Sequence, residues 1–517
     1  MAETISDVMS DSPREVGVPA ATPSAAGSSD TGATPAQRLA RFAVEVREGT
    51  LRTDLREKIT GHLLDLLGNS IAASAEKPGA VVRELVAEWG GTPVATAIGS
   101  PVRLPAPSAA LVNGTLAHSL DFDDTHLPSV LHPSSPVLPA VLATAEAVGS
   151  SGAELLAAAA VGVEVTCRLG MAQYDAELGN SVFFERGLHA TAICGAIGAA
   201  VGTAMLRGLD ADQICSAIGI AASMGSGIIE ANRTGGTVKR VHCGWAAHAG
   251  VVAADMARLG LTGPPTVLEG RFGFFQAFCG DRFDADALTA HLGERWELSR
   301  LFVKPYPCNH FTHAGVDAAL RLRRRGVDPD AIVRLTLGVP APVLRTIAEP
   351  AAEKARPRSG YHAAFSGPYT VAAGLLGGGG LGVFHEDFTD EAAADPARLA
   401  LAARVTCVAD EQCTRTFPHQ FPAVLTAELK DGSTHTERVM VNRGSPENPL
   451  DAEELTAKFT ANALSVDPPA GGSSAAGREQ AVKQLADEVW GLHNATDISM
   501  MIRALATVVA GSTVQNG

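Results

Sequence analysis

From Ala36 to about Gly260 the chain repeats apolar side chains at a spacing of three and four, and many of those side chains are small. That period puts one apolar stripe on each of a series of helices. Alanine and glycine in the stripe let helix backbones approach closely, so the pattern predicts tightly packed helices. The segment Leu55–Ala73 shows it well, with Leu55, Ile59, Leu63, Leu66 and Ile71 on one side and Thr53 as the expected N-cap. Further helices are predicted at Pro107–Leu120, Ser135–Val148, Ala153–Leu169, Ala190–Leu206, Ala211–Ser223 and Trp245–Leu259. Two polar stretches, Asp121–Leu131 and Glu230–Gly244, break the series. Ordered polar loops on a rigid scaffold are where function concentrates.

The pattern changes after Leu301. Ala331–Val339 and Arg404–Ala409 read as strands, and Pro422–Leu429 and Thr434–Asn442 flank a hairpin turn at Lys430-Asp431-Gly432-Ser433. Helical patterns return at Ala452–Leu464 and Arg478–Val508. The expected fold is mainly α: a large discontinuous helical domain with a smaller α+β lid domain inserted in it. The boundaries are a disordered tail over 1–35, the helical domain over 36–301, the lid over 302–442, and C-terminal helices over 443–510 that rejoin the helical domain.

A chain of 517 residues with 46% hydrophobic and 19% charged residues can bury such a core. Its net charge of −15 argues against nucleic acid as a partner. The N-terminus has no apolar stretch of the kind a secretory signal needs. The longest apolar run, Thr191–Leu206, is shorter than the roughly 20 residues of a membrane span, so no membrane is expected. None of the eight cysteines forms a C-x-x-C pair, which fits a reducing compartment and a cytoplasmic protein.

Three clusters carry chemistry. The first runs from His118 through Asp121, Asp123, Asp124, Thr125 and His126 to His132. Asp beside His can fix an imidazole tautomer and raise its basicity. A capping network between two helices would use the same residue types. The second, Arg233 to His242, holds Arg233, Lys239, Arg240 and two glycines, a plausible carboxylate cradle or a solvated basic loop. The third, Lys304 to His313, places Lys304, Asn309 and His310 beside two stiffening prolines at the start of the lid. His189 opens an apolar helix, where a lone histidine is more often structural.

Other matches fail their context. Gly377 to Gly382 satisfies G-x-G-x-x-G but follows a helical pattern rather than a strand, so it reads as a turn and not a dinucleotide site. His126, His132, His242, His310 and His313 could ligate a metal, but there is no H-E-x-x-H and no cysteine pair. Asp121 to Asp124 matches the acid motif of one terpene cyclase class. However, 4 Trp and 4 Tyr are too few to line a cation-stabilising pocket.

With these clusters in order, the chain resembles the MmgE/PrpD family, whose members include 2-methylcitrate dehydratase, cis-aconitate decarboxylase and iminodisuccinate epimerase. The resemblance spans about residues 36 to 510 and rests on NGTLAHSLDFDDTH at 113–126, LHPSSPVLPAVLA at 131–143, VKRVHCGWAAHAG at 238–250, GPPTVLEGRFGFF at 263–275, VKPYPCNHFTHAGVDAA at 303–319 and FSGPYTVAAGLLGG at 365–378. It implies a homodimer, a site between the two domains, no metal or organic cofactor, and a small polycarboxylate substrate. By motif position Asp121, Thr125, His132, His189, Lys239 and Lys304 match the decarboxylase active-site set. Two departures stand out: the Thr125-to-His132 spacing is one residue longer than in the animal decarboxylases, and Asn309 stands where those enzymes carry a histidine, with His310 next to it. The implied chemistry is proton transfer at a carbon next to a carboxylate. Lys239 and Lys304 would hold carboxylates, with Arg233, Arg240, His242, Asn309 and His310 as further binding residues. His132 or His189 would move the proton, and Asp121 would orient a histidine. A 2-methylcitrate dehydratase is the first expectation, with decarboxylase and epimerase as alternatives and an inactive family member as a remote one.

Overall fold

Helix α1 (Pro35–Glu48) begins at a capping box. The Thr34 hydroxyl accepts from the Gln37 backbone while the Gln37 side chain accepts from the Thr34 N–H. The computed structural model describes residues 32–231, 236–466 and 474–510. The expected tail therefore lies almost wholly outside the described residues. Helices α2 (Thr53–Ala72), α3 (Lys77–Trp89), α4 (Ala106–Ser119), α5 (Ser134–Val148), α6 (Gly152–Ala172), α7 (Ala190–Leu206), α8 (Ala211–Ala222) and α9 (His242–Arg258) follow. Most predicted ends agree within a few residues. Thr53 is the first residue of its helix rather than the cap, a position taken by Arg52 without a side-chain bond. Helix α9 starts three residues earlier than expected and takes in His242.

Small residues set the distances between these helices. Glycines 114 and 244 bring α4 and α9 into backbone contact: a Cβ on Gly244 would stand 2.2 Å from the Leu111 carbonyl oxygen and 2.3 Å from the Thr115 hydroxyl. Helix α6 is long and apolar enough to cross a membrane, but 94% of its apolar window is covered by this protein's own helices. Its two buried charges are satisfied inside. Arg168 donates to Glu164 at 2.6 Å and to the carbonyls of Ala290 and Arg295, and Glu164 accepts from the Leu298 N–H. A buried pair is tolerable when its remaining valences are filled this way.

The sheet-bearing part holds β1 (Ile332–Val339), β2 (Val405–Ala409), β3 (Ala423–Leu429) and β4 (Thr434–Val439) in the order β2-β1-β3-β4. β1 and β2 are parallel and the other pairings antiparallel. The 430–433 turn closes β3–β4 as predicted, with Gly432 at φ 84°. Helices α10 (His313–Arg324) and α11 (Gly367–Leu376) pack alongside, and their apolar faces share a core with the sheet. No strand precedes Gly377, which follows α11 directly. The fold is mainly α with a small sheet domain.

The chain then returns to the helical core through α12 (Ala452–Leu464), α13 (Ala475–Trp490) and α14 (Ser499–Ala510). The single helix expected over Arg478–Val508 is two, broken after Trp490 by Gly491 and a 3-10 turn at Leu492–Asn494. On α12, Lys458 pairs with the buried Asp65 of α2 at 2.6 Å, and Asn462 donates to Asn69 at 3.0 Å.

Gly244→Ala should lose about 1–3 kcal/mol of stability, the usual cost of overpacking, because α4 and α9 must separate to admit the methyl group. Urea unfolding followed by circular dichroism measures this; an unchanged midpoint would mean the two helices are not in contact.

Candidate active site

The loop after α4 is held from three sides. Asp121 sits in the left-handed region at φ 52°, a conformation Asp tolerates better than most residues. Lys304 holds it there, donating to its carbonyl at 2.7 Å and its carboxylate at 3.2 Å. The next carbonyl, on Phe122, accepts from Asn69 at 3.1 Å and from Lys458 at 3.2 Å, and the Lys458 ammonium lies 3.7 Å from the Phe122 ring centre. Thr125 and Phe302 exchange two backbone hydrogen bonds of 2.9 Å, which brings Lys304 to the loop from the far end of the helical part.

Each aspartate of the loop has a different task. Asp123 is fully buried, faces His118 Nδ1 at 2.8 Å and accepts from the Ser135 hydroxyl at 2.6 Å. Asp124 accepts from Ser134 and pairs with His62 at 2.9 Å, while its backbone carbonyl receives His132 Nδ1 at 2.6 Å. A carbonyl can only accept, so His132 carries its hydrogen on Nδ1 and a lone pair on Nε2. Thr125 Oγ1 lies 3.3 Å from the same Nδ1. Nε2 of His132 is 3.9 Å from the Asp121 carboxylate.

Behind the loop stand the starts of α7 and α9. His189 caps α7, and its Nδ1 lies 3.1 Å from Nδ1 of His242, the first residue of α9. One ring must donate and the other accept, so the two tautomers are complementary. Lys239 and Arg240 stand on the 3-10 turn Val238–Val241 just before α9, with Arg240 3.3 Å from Glu76. The end of α4, its loop and the turn before α9 border a cavity of about 630 Å³ lined by His118, Asp121, Lys239, Arg240, Asn309 and Tyr361 among others.

Electrostatics divide the titratable groups by role. Burial opposes ionisation of Asp121, yet Lys239, then Lys304, His132 and His118 pull its carboxyl well below the usual range. Burial likewise opposes Asp123, which His118 above all keeps below that range. Burial pushes His132 and His242 down to about 4, and pushes His189 well below its ordinary value with help from His118 and Lys239. The Asp121 carboxylate raises Lys239, which stays an ammonium. The site thus sets the Lys239 ammonium beside imidazoles at 132, 189 and 242 that resist protonation.

Of the residues singled out in sequence, Asp121, Lys239, Arg240 and Asn309 reach the cavity wall, and His132, His189, His242, Thr125 and Lys304 adjoin them. Arg233 lies outside the described residues. Asn309 uses its side-chain oxygen to cap its own turn, accepting from the Phe311 N–H at 3.1 Å. His310 does not line the cavity; its ring packs edge-on against Phe302, 4.2 Å between centres, and against Phe421. His118 was placed in the first cluster by sequence but given no role there. Its ring stands 5.3 Å from that of His132 and 5.4 Å from that of His189. The available signal was Asp123 five residues on, where the chain turns back after α4. Tyr361 and His362, which also line the cavity, carry no motif. His118, Asp121 and Asp123 bring possible ligand atoms within 4.8 Å of one another. The Lys304 ammonium already occupies one side of that group, and Lys239 acts on it too, so the charges there oppose a cation.

Two family models cover most of the chain, the MmgE/PrpD N-terminal domain over residues 37–286 and the MmgE/PrpD C-terminal domain over 306–487. The chain belongs to the MmgE/PrpD family. It is similar to human cis-aconitate decarboxylase, 32% identical over 417 residues that cover 78% of this chain and 82% of that protein. It is 30% identical to the cis-aconitate decarboxylase of Aspergillus terreus over 79% of this chain and 83% of that one. A cis-aconitate decarboxylase-like protein of Aspergillus oryzae is 26% identical over 83% of this chain and 90% of its own length. Within the MmgE/PrpD frame the site is composite. Asp121 to His242 fall in the N-terminal region, Asn309 and Tyr361 in the C-terminal one, and Lys304 in the stretch between.

The buried imidazoles make stability depend on pH. The unfolded chain takes up protons near pH 6.5, whereas His132 and His242 resist until about 4. The stability these groups contribute is therefore complete above pH 6.5 and is lost as pH falls from there toward 4. The melting temperature should drop steadily over that window, and less steeply for His242→Gln. A flat profile would mean the imidazoles are charged in the folded protein.

Proposed function

We propose that this chain, a lyase of the MmgE/PrpD family, decarboxylates cis-aconitate or a closely similar tricarboxylate. The observation that carries this reading is the carboxylate of Asp121, held against Lys304 and drawn down by Lys239 beside three imidazoles. A protein carboxylate rests where ammonium groups converge, so the cavity is built to bind carboxylates. Lys239 and Lys304 hold two carboxylates of the substrate, and Arg240 adds positive charge at the wall. Losing carbon dioxide leaves an electron pair that a neighbouring carboxylate must accept, and fixed cations at that carboxylate stabilise the developing charge. An imidazole of the cluster then supplies the proton. Asp121 positions His132 and Lys304 in this scheme. The relatives' names support a decarboxylase over the 2-methylcitrate dehydratase expected first from sequence, because the same cations would serve either reaction.

Proton NMR of the enzyme in heavy water with cis-aconitate, 2-methylcitrate and iminodisuccinate, one at a time, tests the reading. The expected outcome is itaconate from cis-aconitate, with Lys239→Ala and Lys304→Ala each reducing kcat/KM by about 10²–10³, the loss typical of one charge-stabilising donor. Formation of 2-methylaconitate from 2-methylcitrate with cis-aconitate untouched would replace the decarboxylase by the dehydratase.

The family resemblance also leads us to propose a homodimer. Val81, Leu85 and Trp89 form an exposed stripe on α3, and Trp245 and Met256 on α9 form another with Leu259 just beyond its end. The two meet at His248, whose ring contacts those of Trp89 and Trp245. Light scattering should give twice the 53.2 kDa chain mass, and Trp89→Glu should shift the protein toward monomer. A wild-type mass of one chain would remove the dimer.

A further inference from the structure

Three imidazoles converge on the cavity, but their second nitrogens differ. His132 Nδ1 donates to a neutral carbonyl, and His189 Nδ1 faces another imidazole. His118 Nδ1 alone faces a carboxylate, that of Asp123, at 2.8 Å in a site where both side chains are shut off from solvent. Its Nε2 is buried and has no protein partner, and His118 is among the residues that border the cavity. His118 also stands in the last turn of α4, where the negative end of the helix dipole favours a cation. We infer that His118, backed by Asp123, is the catalytic residue that delivers the proton to the substrate carbon, while His132 and His189 remain neutral hydrogen-bonding partners. The inference rests on the decarboxylase reading above.

The surroundings favour this division. A buried carboxylate on Nδ1 stabilises the imidazolium and fixes the ring, so that Nε2 is the nitrogen left for the substrate. The loop presents Asp121 and Asp123 to His118, and α7 presents His189. Lys239 and His242 face it from the turn before α9 and from α9 itself, and Lys304 lies beyond Asp121. The lysines and imidazoles around His118 penalise further positive charge in the cluster. Burial keeps His132 down at about 4, so it stays uncharged near neutral pH. A proton on Nε2, shut off from bulk water, goes to whatever fills the cavity.

In the step itself, the C–C bond to the departing carboxylate breaks and carbon dioxide leaves. The electron pair stays on the substrate, spread over the allylic carbons and the adjoining carboxylate held by lysine. That pair forms a new C–H bond with the Nε2 proton, at the carbon next to the carboxylate. The N–H pair returns to the ring as a lone pair, and neutral His118 regains a proton from water.

Steady-state kinetics on cis-aconitate between pH 5 and 9, with proton exchange read by NMR in heavy water, test this. His118→Gln should lower kcat by about 10²–10⁴, the usual worth of a positioned acid, and leave KM within about threefold because the lysines still hold the substrate. Asp123→Asn should keep activity at low pH and move the alkaline limb of kcat to lower pH. His132→Gln should affect KM more than kcat. Loss of kcat in His132→Gln with little change in His118→Gln would overturn the assignment, as would an Asp123→Asn profile with unchanged limbs. Deuterium exchange is read separately from carbon dioxide release. If wild-type enzyme fails on cis-aconitate but moves a proton on another polycarboxylate, the decarboxylase reading falls, and His118→Gln must still abolish that exchange. If wild-type enzyme moves no proton on any of them, both fall.

Discussion

The ammonium of Lys458 is the fixed point around which the site is arranged. It is fully enclosed, paired with Asp65 of α2, bonded to the Phe122 carbonyl and seated on the Phe122 ring. Burying such a pair costs desolvation that only close geometry offsets, so neither partner can drift. Because Lys458 comes from the C-terminal helices and Phe122 from the loop after α4, the pair ties the last third of the chain to the first. With Phe122 pinned, Asp121 and Asp123 on either side have fixed directions: one carboxylate toward the lysines, the other toward His118.

The helical scaffold was legible in the sequence because its period of three and four survives over many turns. Helix α7, Ala190–Leu206, runs where the pattern placed it. The start of α9 was not legible. His242, Cys243 and Gly244 read as the end of a polar loop, and only the backbone contact between Gly114 and Gly244 explains a glycine in a first helical turn. Arg478–Val508 read as one helix because both halves carry apolar stripes, and the break over 491–498 has no proline to mark it. The sheet was legible as strands, but its parallel β1–β2 pair was not, since nothing local marks a crossover partner.

The site was legible as three clusters and less so as roles. Asp121, His132, His189, Lys239 and Lys304 come together although Lys304 lies 183 residues from Asp121. His118 was legible as a member of the first cluster but not in its role, since its pairing with Asp123 is set by how the chain turns after α4. Nor did the sequence show that Asn309 and His310 would be spent on their own turn and on aromatic packing. Dehydration and decarboxylation were indistinguishable for a physical reason: both place negative charge next to a carboxylate, and the same lysines answer it.

The reciprocal bonds between Thr125 and Phe302 fix which side of the cavity Lys304 belongs to. By its place in the chain it stands at the threshold of the sheet-bearing part. By its hydrogen bonds it is anchored to the floor, with Asp121 and the imidazoles. What faces it from across the cavity is the short helix Gly360–Ala364 with Tyr361, whose side chain is largely exposed. The Lys304–Asp121 pair and the Tyr361 helix are thus separate pieces of architecture. A change at Tyr361 would therefore reshape that side of the cavity while the contacts of Lys304 with Asp121 stay in place.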